Sequence, residues 1–262
     1  MSQSLLTPTA LRRASLDAVL GFAWEADALT ASDVIEHVGL TRSTAIDVVD
    51  ELVERGLLAE LPNARAVGEY QKGRPARRFA FRADTGFAVG LDAGRARLTA
   101  TVADLRGGTR GVSHLAADAA HDSAEDRRRD AARVVDDALS AAGITRTDVV
   151  AVCVGVPAPV DRNGSSPPHR DDFWHRMNPS FGDLFGDWAP IVRVENDASL
   201  AAVAERAVGA AVGYDDFVTL LAGERLGAGV WVDGTLLRGA HGGAAEMVAF
   251  DHVAGVEGAW GL

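Results

Sequence analysis

Cysteine is almost absent from this chain. Cys153 stands alone among 262 residues, which excludes an intramolecular disulfide and any all-cysteine metal site. Long apolar runs are missing too. No stretch reaches the roughly 18 uninterrupted apolar residues of a membrane span, and no basic segment followed by an apolar run marks a secretory signal at the N-terminus. The expectation is a cytoplasmic protein with no membrane partner. Positive charge is scarce as well: 26 Lys and Arg against 37 Asp and Glu leave a formal net charge of −11. That balance argues against indiscriminate coating of nucleic acid or anionic membrane.

Length and apolar content are ample. With 262 residues, 47% of them hydrophobic, the chain can build two cores. Its charge is unevenly spread: residues 65–82 hold Arg65, Lys72, Arg74, Arg77, Arg78 and Arg82 against Glu69 alone, a local balance of +5. A basic patch on an acidic protein points to one anionic partner bound at one place.

Helical periodicity opens the chain, with Leu11, Leu16, Val19, Leu20 and Ala23 near one face of residues 10–24. Thr30 can cap a short helix that runs through Val38, and Gly39 can end it in a left-handed turn. Thr41 can cap a second helix whose buried stripe is Ala45, Val48, Val49, Leu52 and Val53, with Gly56 as its stop. Two helices joined by a glycine turn fit a helix-turn-helix, or an ordinary helical hairpin. A strand over 57–61, the basic loop, and an alternating strand over 77–84 complete the order of a winged helix. In that reading the second helix presents Arg42, Ser43, Thr44 and Asp47 to base edges and phosphates. The wing KGRPARR offers Lys72, Arg74 and Arg77, with Arg74 suited to a narrow minor groove. Asp47 repels the phosphate backbone unless it accepts from a cytosine amino group.

From Thr85 the pattern becomes α/β. Residues 87–94 and 98–107 read as a strand pair, 122–143 as an amphipathic helix, and 149–160 as a central strand. The segment 161–180 has loop composition and follows a strand end, where open sheets place ligand loops. Residues 191–209 then run from a strand straight into a helix, with Asn196, Asp197 and Ser199 at the junction. On the bare sequence Asn196 and Asp197 serve equally as polyol ligands with a general base or as helix caps.

Four stretches in fixed order are similar to the ROK family of repressors, open reading frames and sugar kinases: GRPARRFAFRADTGFAVGLDAG, VGVPAPVDRNG, VENDASLAAVAE and GAGVWVDGTLLRGAHGGAAE. The resemblance implies an actin-like ATPase (ribonuclease H-like) domain over 85–262, behind a winged helix-turn-helix over 1–84 of the kind the repressor branch carries. The first lobe then covers about 85–210, and an incomplete second lobe about 211–262. The resemblance makes Asp197 the residue matching the family's base, Asn196 a ligand of neighbouring hydroxyls, and Glu246 a further sugar contact.

The same resemblance exposes departures. Family kinases follow the first strand with Asp-x-Gly-(Gly)-Thr, whereas DAGRARL keeps Asp92 and Gly94 but puts Arg95, Ala96 and Arg97 in the phosphate-facing run. Their Gly-Thr-Gly turn is replaced by LLAGERLGAG, where Arg225 interrupts Gly223 and Gly227; the loop survives only if Arg225 swings out. The zinc pattern of the family fails too, because Ala249 fills the histidine slot and no cysteines follow. The expectation is therefore no ATP, no zinc and no kinase activity, in a chain that is either a fragment or naturally short. The protein reads as a homodimeric regulator with a double-stranded DNA operator and a sugar or sugar-phosphate effector. A sugar kinase with Asp197 as base, and a DNA-binding protein without effector response, are the rival readings.

Overall fold

Threonines start the helices of the N-terminal unit. Thr7 accepts from the Ala10 amide at 3.2 Å to open α1, Pro8–Glu25. Thr30 forms a reciprocal capping box with Asp33 to open α2, Ala31–Val38, and Thr41 accepts from the Thr44 amide to open α3, Arg42–Glu54. Each cap satisfies an amide that the helix itself leaves unpaired. Gly39, at φ 77°, turns the chain between α2 and α3 as its lack of a Cβ allows.

Ala45, Val48, Val49 and Leu52 are all buried along α3, against Leu16, Val19 and Ala23 of α1 and Val34 of α2 as the core of this unit. Each fully buried Val or Leu contributes about 1.5–3 kcal/mol, so this stripe fixes α3 in place. Leu11 departs from the expected face and is 51% exposed. Strand β1, Leu58–Leu61, pairs antiparallel with β2, Arg78–Phe81, and Leu29 exchanges both backbone hydrogen bonds with Phe79 at 2.8 Å.

The computed structural model describes residues 7–62, 76–117, 123–168, 172–222 and 226–246. The chain divides into two compact units, Met1–Thr85 and Gly86–Leu262. The three N-terminal helices are compatible with a helix-turn-helix. Lys72 and Arg74 of the expected wing lie outside the described residues.

The second unit is α/β. Strands β3 (Phe87–Ala93), β4 (Arg97–Asp104) and β5 (Thr109–Ala116) form a meander, followed by α4 (Ala124–Ala142) and β6 (Val149–Val156). After the short helices α5 (Phe173–Met177) and α6 (Phe181–Gly186) come β7 (Ile191–Asn196) and α7 (Asp197–Val208). The sheet order is β5-β4-β3-β6-β7, with β3, β6 and β7 parallel. A second sheet, β10-β9-β8, is built from β8 (Phe217–Ala222), β9 (Leu226–Val232) and β10 (Thr235–Leu236).

Two expectations need correction. The strand pair is a three-stranded meander, because β5 is an edge strand whose Thr109, Arg110, Ser113 and His114 hide its alternation. The segment 161–180, read as loop throughout, contains α5. Its apolar residues recur every fourth position into α6 (Phe173, Met177, Phe181, Phe185), and all four are buried in the core with Val89, Leu91, Val152 and Val154. Pro179 and the surrounding polar residues obscure that spacing.

Candidate functional site

Parallel strands β3, β6 and β7 end on the same edge of the sheet, the edge at which open α/β sheets hold ligands. In register, Asp92 lies opposite Gly155, Gly155 opposite Glu195, and Val156 opposite Asn196. Asp92 and Asp197 therefore flank the end of β6 from either side. Burial pushes the Asp197 carboxyl up to about 6, and the negative charge of Asp92 adds to the rise while the Ala198 amide opposes it. Asp92 keeps much of its surface open, yet the protein crowding it also raises its carboxyl, against the pull of Arg97 and the Gly94 amide. A carboxylate poised near neutrality beside a second carboxylate is suited to accepting protons or hydroxyl hydrogen bonds.

Asn196 is the N-cap of α7. Its Oδ1 accepts from the Ser199 amide at 2.9 Å, and its Nδ2 donates to the Ala158 carbonyl at 3.3 Å and to Asp197 Oδ1 at 3.2 Å. The capping alternative is thus realised in the structure, and the same bonds hold Asp197 and the loop after β6 in register.

The segment after β10 closes on this edge. Arg238 donates to Glu195 at 2.8 Å, a link between β7 and the start of the turn. Gly239 (φ 71°), Gly242 (φ 74°) and Ala245 (φ 65°) then coil the backbone toward Glu246, which is half-buried. A Cβ on Gly242 would overlap the Val160 carbonyl oxygen, so this turn lies directly on the loop whose Ala158 carbonyl Asn196 holds. Sequence reading missed Glu195 and Arg238, although their position on either side of the expected site residues was visible.

The turn after β3 is held from beneath. Arg127 of α4 is 2% exposed and donates to the carbonyls of Ala93 at 2.8 Å and Gly94 at 3.3 Å. It shares the buried face of α4 with Ala131, Val134 and Ala138, a spacing that betrays an arginine at a core position. Arg95 and Arg97 are exposed.

The reading of Gly227 as a phosphate-loop glycine is corrected. It lies within β9, as does Gly229, and both face α7: an added Cβ would stand 2.9 Å from the Ala198 Cβ at Gly227 and 2.5 Å from the Ala202 Cβ at Gly229. Small residues there let helix and strand approach. Gly223 and Arg225 lie outside the described residues.

In the N-terminal unit, Arg42, Ser43 and Asp47 are exposed on α3, and Thr44 is half-buried with its hydroxyl 2.8 Å from that of Thr41. Arg77 has intramolecular partners. It bonds Asp50 of α3 and Glu60 of β1, each at 2.8 Å, with its guanidinium 4.9 Å from the Phe79 ring centre. Glu51 is likewise held by Arg12 and Arg55.

Residues 88–250 match the model of the ROK family, which is well over half of the chain. The chain belongs to the ROK family. No curated protein matches the sequence. Among solved structures, a ROK family transcriptional regulator, a homolog of the E. coli MLC protein, superposes with a TM-score of 0.61 at 20% identity. It covers 88% of this chain, which in turn covers 58% of the regulator. A ROK family glucokinase from Streptomyces griseus, solved with glucose and AMPPNP, gives a TM-score of 0.51 at 30% identity, covering 62% of this chain and 49% of its own. An inorganic polyphosphate/ATP-glucomannokinase from Arthrobacter sp. strain KM gives 0.50 at 20% identity, covering 64% and 71%. This ROK chain thus spans only about half of the first two relatives, and it has the α/β, actin-like fold of the family.

Proposed function

We propose that this ROK protein is a sugar-responsive, DNA-binding transcriptional repressor without kinase activity, acting as a cytoplasmic homodimer. The observation that carries the reading is the N-terminal unit, in which a buried apolar stripe fixes α3 while Arg42 and Ser43 at its start stay exposed. The fold shared with the regulator extends over 88% of the chain, whereas the glucokinase fold reaches 62%. In this reading α3 is the recognition helix of a winged helix-turn-helix, and Lys72 and Arg74 contact the backbone or minor groove. A sugar or sugar phosphate binds near Asn196, Asp197 and Glu246, and it changes operator affinity only through its unequal affinity for two states of the protein. By the sequence resemblance, Arg95, Arg97 and Arg225 replace the small residues whose backbone amides would meet nucleotide phosphates, which supports the reading without kinase activity.

The decisive experiment measures fluorescence anisotropy of the protein on DNA from a selected random duplex library, with and without a panel of hexoses and hexose phosphates. A selected sequence, a negative slope of affinity against salt and a sugar-dependent shift are expected. The Asp92–Asp197 arrangement and the 30% identity to a glucokinase favour a kinase as the second reading. An ADP-release assay over the same hexoses separates the two, and turnover abolished by Asp197→Ala would overturn the repressor reading.

Helix α3 carries Asp47, Asp50, Glu51 and Glu54, an awkward set of charges for a groove lined by phosphates. Arg12, Arg55 and Arg77 neutralise Glu51 and Asp50 from the protein side. Arg77→Ala should therefore weaken DNA binding about three- to tenfold by leaving Asp50 uncompensated, with the salt slope unchanged. A slope reduced by about one unit would instead mean that Arg77 meets a phosphate directly. The thermal midpoint should move little, since exposed ion pairs contribute about 0.2–1 kcal/mol.

A further inference from the structure

Ile46 is the apolar residue on the outward side of α3. It is 39% exposed, four residues after Arg42 and three after Ser43, so it lies beside both on the helix surface. The neighbouring outward positions are filled by Asp47, Asp50 and Glu54. The buried stripe of Ala45, Val48, Val49 and Leu52 is complete without Ile46. A β-branched side chain at an exposed helix position is unfavourable locally, because it restricts χ1 and leaves apolar surface in water. Such a local conflict marks a candidate for function.

Among the described residues, the other two exposed large apolar residues of this unit differ. Trp24 packs on Phe81 with ring centres 5.1 Å apart, and Leu11 belongs to α1, outside the helix that presents Arg42 and Ser43.

Resting on the DNA-binding reading above, we infer that Ile46 reads a thymine by packing its side chain against the base's C5-methyl group in the major groove. The groove offers that methyl at T·A pairs and at no other pair, so one apolar contact there distinguishes thymine from cytosine on the same strand. Arg42 and Ser43, nearer the helix start, supply the polar contacts that set register beside it. The inference places a T·A pair in each half-site, next to the pair or phosphate that Arg42 meets.

The test uses the full chain and the half-site obtained by library selection. Each thymine is replaced singly by deoxyuridine, which deletes only the methyl group. At one thymine per half-site, wild-type affinity should fall about fourfold, the effect of one buried methyl. Ile46→Ala should bind the thymine duplex about fourfold or more weakly and be insensitive to uridine at that position. Ile46→Val and Arg42→Ala should retain the sensitivity. Equal uridine sensitivity in wild type and Ile46→Ala, or no sensitive thymine in a selected half-site, overturns the assignment to Ile46 and leaves DNA binding standing. Failure to select any sequence overturns both. Ile46→Ala should keep the wild-type thermal midpoint, which separates a lost contact from a damaged helix.

Discussion

Asp197→Asn is expected to melt roughly 4–8 °C above the wild type at pH 7 and to lose its response to sugar. The burial that raises the Asp197 carboxyl also opposes folding of the ionised form. That carboxyl titrates near 6 in the folded protein, above the ordinary aspartate value of 3.8, so folding favours the protonated form and ionisation opposes folding. The sign follows directly. Below about pH 4 the group is protonated folded or unfolded and contributes nothing. Between about 4 and 6 the penalty grows as the unfolded chain ionises first, and above 6 it is constant. Two pKa units correspond to about 3 kcal/mol, and partial solvent access reduces this to about 2 kcal/mol. For a unit of this size that converts to the stated shift in midpoint.

Asparagine keeps an oxygen for the Ala198 amide, which Asp197 Oδ1 accepts at 2.8 Å, so the helix start survives. In the proposed effector site, what disappears is the charge that would strengthen hydrogen bonds to sugar hydroxyls, and affinity for the effector should fall at least tenfold. Thermal melts from pH 4 to 8, with calorimetric sugar titration at pH 7, check both halves. A stability difference that is the same at pH 4 and pH 8 would break the link to Asp197 ionisation. An unaltered sugar affinity would remove Asp197 from the effector site.

Local signals were the most legible part of the fold. Thr30, Thr41 and Gly39 punctuate the helices where their chemistry dictates, and the stripe from Ala45 to Leu52 is buried as its spacing requires. β6 could be read from its unbroken apolar run, although in the fold Val150 is exposed and Ala151 and Cys153 are only half-buried. β5 and α5 could not, since an edge strand and a five-residue helix are specified by what they pack against, with little of it written in their own pattern.

The site shows the same division. Asn196 and Asp197 were visible as a strand-to-helix junction. The sequence left open whether Asn196 caps, and the geometry resolves it: a side chain that bonds Ser199, Ala158 and Asp197 together holds three parts of the edge. The Glu195–Arg238 pair and buried Arg127 depend on tertiary approach between segments tens of residues apart. Gly227 misled for a related reason. A glycine required by a helix crossing above a strand looks, in one dimension, like a glycine required by a phosphate.

The same geometric argument makes Gly242 the residue whose replacement should cost the effector site most. At φ 74° an alanine is strained by roughly 1–2 kcal/mol. Its methyl group would also occupy the space of the Val160 carbonyl oxygen, a backbone atom that no rotamer change can move aside. The turn from Arg238 to Glu246 must lift away from the loop after β6, and Glu246 goes with it. The core of the unit is untouched, because Val160 is the last of its buried residues on that loop and the sheet lies behind it. Gly242→Ala should therefore remain folded with a modestly lowered midpoint while sugar affinity falls more than tenfold. Gly243→Ala is the matched control. Among the described residues its added methyl meets nothing within 4 Å, and its φ is ordinary, so it should bind sugar as the wild type does. Calorimetric titration of both variants with the effector sugar decides the matter. Equal affinities for the two alanine variants would mean that the turn's contact with Val160 is irrelevant to the effector, and would take Glu246 out of the site with it.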